Sequence, residues 1–132
     1  MINMNRQEEP LFKPNDIIFV YTSQEAVEDG ILFDLDRILT INPARPFFLK
    51  YITTNLLEKG YLNPPKEPAV ESTLNIPNLK DLLNQAAQIF RRKPADDYFV
   101  SGRIELPNGQ KQQIFIAENE TGRYTAMLPE DY

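Results

Sequence analysis

Along the chain, apolar residues at strand spacing give way to apolar residues at helix spacing, and glycine or proline stands at most of the changeovers. Residues 1–15 are polar, carry Pro10 and Pro14, and read as an N-terminal arm whose Leu11 and Phe12 can dock on a core. Residues 16–132 read as a single domain. It opens with DIIFVY (16–21), a nearly unbroken apolar run that suits a strand covered on both faces. Thr22 then starts a short helix. TSQE matches the capping box, in which the Thr22 hydroxyl accepts from the Glu25 amide while the Glu25 carboxylate accepts from the Thr22 amide. Tyr21 and Ala26 stand at the two positions of a hydrophobic staple and Gly30 at a left-handed stop, after which ILFDL (31–35) returns as a strand.

Pro46 can occupy the first turn of a second helix, running over 46–59 and ended by Gly60. Leu49, Ile52, Thr53 and Leu56 follow the spacing of one buried helical face. LNPPKEPAVES (62–72) is a proline-rich loop held toward extended geometry. PNLKDLLNQAAQIFRRK (77–93) is the clearest helix, with Leu79, Leu82, Leu83, Ala86, Ile89 and Phe90 tracing one apolar stripe. Asn75 or Asn78 can cap it, and Arg91, Arg92 and Lys93 suit the negative end of its dipole.

The last third reads as a meander. DYFVSGRIEL (97–106) alternates, with Tyr98, Val100, Ile104 and Leu106 on one face, and Asn108–Gly109 marks a tight hairpin. KQQIFIA (111–117) returns with Ile114 and Ile116 inward, ENETG turns again, and RYTAML (123–128) brings Tyr124, Ala126 and Leu128 inward. Phe99 and Phe115 fall on the opposite face, for a helix, the arm or a partner chain to cover, and in the last case the protein is a homodimer. The expected architecture is α+β: an antiparallel sheet, made of the C-terminal three-stranded meander plus the N-terminal strand, packed against two main helices.

Composition fits a globular domain. Of 132 residues, 42% are hydrophobic and 25% charged, which argues against wholesale disorder. Eleven prolines, most of them in the connections, predict stiff loops. There is no cysteine and no histidine. That excludes disulfides, thiolate nucleophiles and sulfur-ligated zinc, and with them serine–histidine and cysteine–histidine hydrolysis. A net charge of -5 with interspersed signs disfavours nucleic acid and anionic membrane as partners. No apolar run approaches a membrane span and no secretory leader is evident, so a soluble, cytoplasmic protein is expected.

The residues that helix physics does not account for are acidic. Glu28 and Asp29 sit near the C-terminal end of the first short helix, where negative charge opposes the dipole, and Asp34 and Asp36 follow closely. Their functional reading is a carboxylate site for a divalent ion or for a basic group of a partner. The bland reading is that Asp29 satisfies amides around Gly30 and the rest are solvated. Asp96 and Asp97 read as turn formers. ENETG lacks the spacing of an EF-hand loop, and the five glycines are scattered, leaving no phosphate loop.

Two stretches carry a resemblance. YTSQEAVEDGILFDL (21–35) resembles the Y-T-x-x-x-A-[IV]-E-D-G-[IV]-L-x-D signature of a family of small bacterial proteins, often encoded on plasmids, phages or other mobile elements. YTAMLPEDY (124–132) is similar to the terminal T-x-M-L-P-x-[ED]-[DY] motif of the same family. The matching positions are Tyr21, Thr22, Ala26, Glu28, Asp29, Gly30, Leu32, Asp34, Met127, Leu128 and Pro129. Many such proteins carry tryptophan in the middle segment, and this chain has none. The resemblance implies context rather than mechanism: an intracellular accessory protein of a bacterial genome or mobile element.

The reading that follows is a non-enzymatic interaction module with a protein partner, its binding residues being Tyr21, Glu28, Asp29 and Asp34, with no cofactor. The rival is a carboxylate-dependent metal enzyme of the phosphoester hydrolase type, which needs at least two of Glu28, Asp29, Asp34 and Glu130 to converge. A nucleic-acid-binding module would instead require Arg91, Arg92, Arg103 and Lys111 to gather on one face.

Overall fold

Residues 22–38, 48–64 and 69–132 are described by the computed structural model of the chain. The arm, the strand expected over 16–21, the candidate Tyr21 and its staple with Ala26 lie outside them. The first helix, α1 (Ser23–Glu28), starts with both arms of the capping box made: the Glu25 amide donates to Thr22 Oγ1 at 3.1 Å, and the Thr22 amide donates to Glu25 Oε1 at 2.8 Å. Gly30, at φ +80°, closes the turn and lets the Ile31 amide reach the Ala26 carbonyl at 2.8 Å. Strand β1 (Leu32–Asp34) follows, then a 3-10 turn over Leu35–Arg37.

The second long helix expected over 46–59 is not there. Strand β2 (Leu49–Thr53) occupies most of that range, and only a single helical turn, α2 (Thr54–Leu57), follows it. Leu49, Ile52, Thr53 and Leu56 are all buried, but the first three because β2 lies between two other strands. A strand covered on both faces also buries Tyr51, the residue a helical face would have turned outward. The β-branched and aromatic residues of LKYIT favour that choice. Thr53 makes the switch, its hydroxyl accepting from the Leu56 amide at 3.3 Å as the N-cap of α2.

Helix α3 (Ile76–Arg91) is capped by Asn75, whose side chain accepts from the Asn78 amide at 3.2 Å, with Pro77 in the first turn. At its far end Lys93 Nζ donates to the Pro94 and Asp97 carbonyls at 2.9 and 2.7 Å. The meander forms as expected: β3 (Phe99–Glu105), β4 (Lys111–Glu118) and β5 (Tyr124–Met127), with the Asn–Gly turn closed by the Leu106 amide on the Gln110 carbonyl.

The five described strands form one sheet in the order β1-β2-β5-β4-β3. It is mixed rather than antiparallel. β2 runs parallel to β5, because the long connection through α3 and the meander brings the chain back beside β2 in the same direction. One face packs on α3. Phe33, Leu49, Ile52, Ile104, Ile114, Ile116, Ala126 and Leu128 meet Leu79, Leu82, Leu83, Ala86 and Ile89 in a single core. Gly102 of β3 lets the helix close in, since a Cβ there would stand 2.8 Å from Ile89. Among the described residues one helix, not two, therefore covers this face at length. Tyr98, expected inward, is 72% exposed just ahead of β3.

Candidate functional site

The other face of the sheet carries Leu32 and Asp34 of β1, Tyr51 and Thr53 of β2, Thr125 and Met127 of β5, and Phe115 and Ala117 of β4. Two short elements flank it, and each is tied to the sheet side by side-chain oxygens. The Ser23 amide and hydroxyl at the start of α1 donate to the two oxygens of Glu120, at 2.7 and 2.8 Å, across 97 positions of sequence. The 3-10 turn Pro129–Asp131 is tied by Asp131, which accepts from Thr53 Oγ1 and from Asn55 Nδ2, both at 2.8 Å. Asn119 Nδ2 donates to Thr125 Oγ1 at 3.0 Å. Tyr132 then lies edge-on to Phe99 and Phe115, at ring-centroid distances of 5.3 and 5.6 Å. The aromatic pair left uncovered by the sequence pattern is met by this residue rather than by a helix.

Between α1 and that turn lies an open recess of about 340 Å³. Ala26, Leu32, Ala117 and Met127 supply its apolar lining, and Thr22, Thr53, Thr125 and Asp131 its polar lining. Ile31, half-exposed, and Tyr132, 76% exposed, stand at its margins. The residues lining it include Glu118 and Asp131 but no lysine or arginine. Burial works against ionising Glu120, yet the Ser23 amide and hydroxyl outweigh it and hold the carboxyl below its ordinary value. Glu120, which holds the lining residue Ser23, is therefore anionic at neutral pH. Thr22, Ala26 and Leu32 come from the 21–35 stretch and Met127 and Asp131 from the 124–132 stretch, so the two motifs meet here.

A charged network lies beside the recess. Lys50 Nζ contacts Asp36 at 2.9 Å and both oxygens of Asp34 at 3.3 Å. Arg123 grips Asp36 with two nitrogens, at 2.9 and 3.2 Å, and donates to the Leu49 carbonyl at 3.1 Å. The Arg123 hydrogen bonds, with help from Lys50 and against burial, hold the Asp36 carboxyl down to about 2. Burial pulls Lys50 down, but Asp36 and Asp34 prevail and raise it. The network fastens β1 and its 3-10 turn to β2 and to the start of β5.

The expected site residues separate. Asp34 belongs to the network and also accepts from the Asp36 amide at 2.9 Å as cap of the 3-10 turn. Glu28 and Asp29 are exposed at the end of α1, the Asp29 amide donating to the Glu25 carbonyl at 2.9 Å. Glu130 is exposed in the 3-10 turn before Tyr132. Among the described residues no three carboxylates gather in a way that could hold a metal ion. Two side chains of ENETG are also spent: Asn119 Oδ1 accepts from the Thr121 amide and hydroxyl, and Glu120 holds Ser23. Arg91, Arg92, Arg103 and Lys111 are exposed but sit on three elements, and Lys111 faces Glu105 at 3.9 Å.

Three residues of this region were not legible as site residues: Glu120, Asp131 and Arg123. Each acts across more than seventy positions of sequence, so no local spacing marks it. The one signal for Asp131 is its place in the terminal motif. No protein-family model, no curated protein and no solved structure matches the chain.

Proposed function

We propose that the protein is a non-enzymatic interaction module, acting inside the bacterial cell as an accessory protein, and that the recess between α1 and the Pro129–Asp131 turn is its partner surface. One observation carries this reading: the residues that support the family resemblance at opposite ends of the chain, Thr22, Ala26 and Leu32 on one side and Met127 on the other, line the same recess. A volume of about 340 Å³ is at the small end for a ligand pocket and suits one or two side chains of a partner. The apolar floor takes an aliphatic or aromatic side chain, and the acidic residues Glu118 and Asp131 in the lining favour lysine or arginine beside it. Tyr132 and Ile31 add exposed apolar surface at the margins.

Selection of displayed random peptides on the purified protein tests the proposal. Peptides carrying an apolar residue next to a basic one are expected. Their affinity should fall about tenfold or more on Ala117→Trp, which fills the recess, and on Glu118→Lys, which reverses its rim. Selected peptides that bind both variants unchanged would overturn the proposal. Unchanged binding to Glu28→Lys/Asp29→Lys would remove the acidic turn from the surface while leaving the recess in it. The metal-enzyme reading has no such convergence behind it. Calorimetric titration with magnesium and manganese should give no binding at millimolar metal.

A further inference from the structure

Among the described strands the sheet ends at β3, and its outer edge is only partly closed. The Glu118 amide donates to the Tyr98 carbonyl and the Leu106 amide donates to the Gln110 carbonyl. With Phe99 paired to Ala117 and Glu105 to Lys111, even-numbered residues of β3 therefore point their backbone groups at β4, and odd-numbered ones point theirs outward. At Glu105 the outward groups are already taken. Gln85 of α3 reaches over the edge and binds both, accepting from the Glu105 amide at 2.7 Å and donating to its carbonyl at 3.0 Å. The amides and carbonyls of Phe99, Ser101 and Arg103 have no partner among the described residues, and no described strand lies beyond them. The strand has no proline and no bulge against β4, the usual devices that blunt an edge.

We infer that this edge pairs with a second copy of itself, antiparallel about a two-fold axis, to extend the sheet across two chains. Only odd positions can face odd positions in such a pairing, which leaves few registers. Placing Ser101 opposite Ser101 sets Asp97 against Glu105, a like-charge pair. Placing Ser101 opposite Phe99 of the second copy instead sets Arg103 opposite its Asp97, twice by symmetry. It also uses the open groups of Phe99 and Ser101 and leaves the Gln85 clamp on Glu105 undisturbed, while Asp97, whose amide and carbonyl are held by Pro94 and Lys93, meets Arg103 through its side chain alone. Arg103 is exposed and has no carboxylate partner among the described residues, and Asp97 is exposed in the turn that ends two residues ahead of β3. Tyr98, the large apolar residue exposed beside Asp97, would be partly covered by the same pairing. The charge complementarity is thus internal to one strand, and it selects a copy of this chain as the occupant.

Sedimentation of the full chain from micromolar to millimolar concentration reads the pairing directly. A reversible monomer–dimer equilibrium is expected. Ser101→Pro removes an outward amide while leaving the ladder to β4 intact, and should leave a folded monomer by circular dichroism. Arg103→Asp turns two attractions into two repulsions and should raise the dissociation constant about tenfold or more. Combining it with Asp97→Arg should restore the parent value to within about threefold. A chain that stays monomeric at millimolar concentration would overturn the inference. So would a dimer indifferent to Arg103→Asp, whether or not Ser101→Pro folds. None of these outcomes decides the recess, which opens on a face of the sheet between α1 and the Pro129–Asp131 turn rather than along the β3 edge.

Discussion

Asp36→Asn isolates the charged network, because asparagine keeps the shape and removes the charge that both Lys50 and Arg123 approach. A carboxyl held at about 2 rather than 3.8 represents at most ~2.4 kcal/mol of stability. The Asp36 side chain is 34% exposed, so solvent screening reduces the expected loss to about 1–1.5 kcal/mol. The sign fixes the pH window. Asp36 holds its proton less tightly in the folded chain than in the unfolded one, so the contribution is complete above about pH 4 and fades as pH falls toward about 2. The substitution leaves Lys50 with Asp34 and Arg123 with the Leu49 carbonyl, which prevents the larger cost of stranding a cation. Urea denaturation of both proteins at neutral pH and at steps down to about pH 2.5 measures the difference. It should shrink as the parent protonates Asp36. A loss of the same size at every pH would refute the electrostatic account and assign the effect to packing.

Three further substitutions test the framework. Gly102→Ala drives a Cβ to within 2.8 Å of Ile89 and should cost about 1–3 kcal/mol in urea denaturation, with Ile89→Val recovering part of it in a double-mutant cycle. Asp131→Ala removes acceptors from Thr53, Asn55 and the Leu128 amide, and should cost about 1–2 kcal/mol while speeding amide exchange around Met127 and Tyr132. Gly60→Ala should be worse than Gly30→Ala by thermal melting: both glycines have positive φ, but only at Gly60 does the new Cβ meet another residue, Pro107 at 2.9 Å. Equal losses at the two glycines would mean that the Pro107 contact yields freely.

Local chemistry was legible from sequence, and long-range partnership was not. The capping box at Thr22, the Asn–Gly hairpin, the α3 stripe and the three strands of the meander each depend on residues within a few positions of one another. The failure at 46–59 has the opposite cause. Leu49, Ile52, Thr53 and Leu56 satisfy a helical period, but what decides the segment is that β1 and β5 lie on either side of it, and β5 starts some seventy residues later. The parallel pairing of β2 with β5 is invisible for the same reason. At the candidate site the acidic residues were conspicuous because they broke a local rule, but whether each answers to a tertiary contact depended on Lys50 and Arg123. Neither stands out in sequence.

The acidic residues of the 21–35 stretch consequently carry different weights in any account of function. Asp34 is occupied by Lys50 and by its own cap, and replacing it should register first as lost stability. Glu28 is exposed, the last turn of α1 carries no basic residue, and among the described residues its carboxylate has no hydrogen bond or ion pair that would require its charge. A substitution at Glu28 that alters binding but leaves the melting temperature unchanged would therefore mark a functional carboxylate, whereas the same loss of binding at Asp34 would mark only a loosened β1 and a distorted recess wall. The recess itself is more informative than either. Its two flanking elements are held by Glu120 and Asp131, both far in sequence from what they bind. Loosening a flank through Asn55→Ala, which removes a donor to Asp131, should weaken partner binding through the shape of the recess, with its lining residues untouched. Glu118→Lys should do so through charge alone, with stability preserved. Reading affinity and stability together on those two variants separates a preorganised binding surface from a fold that merely happens to leave a gap.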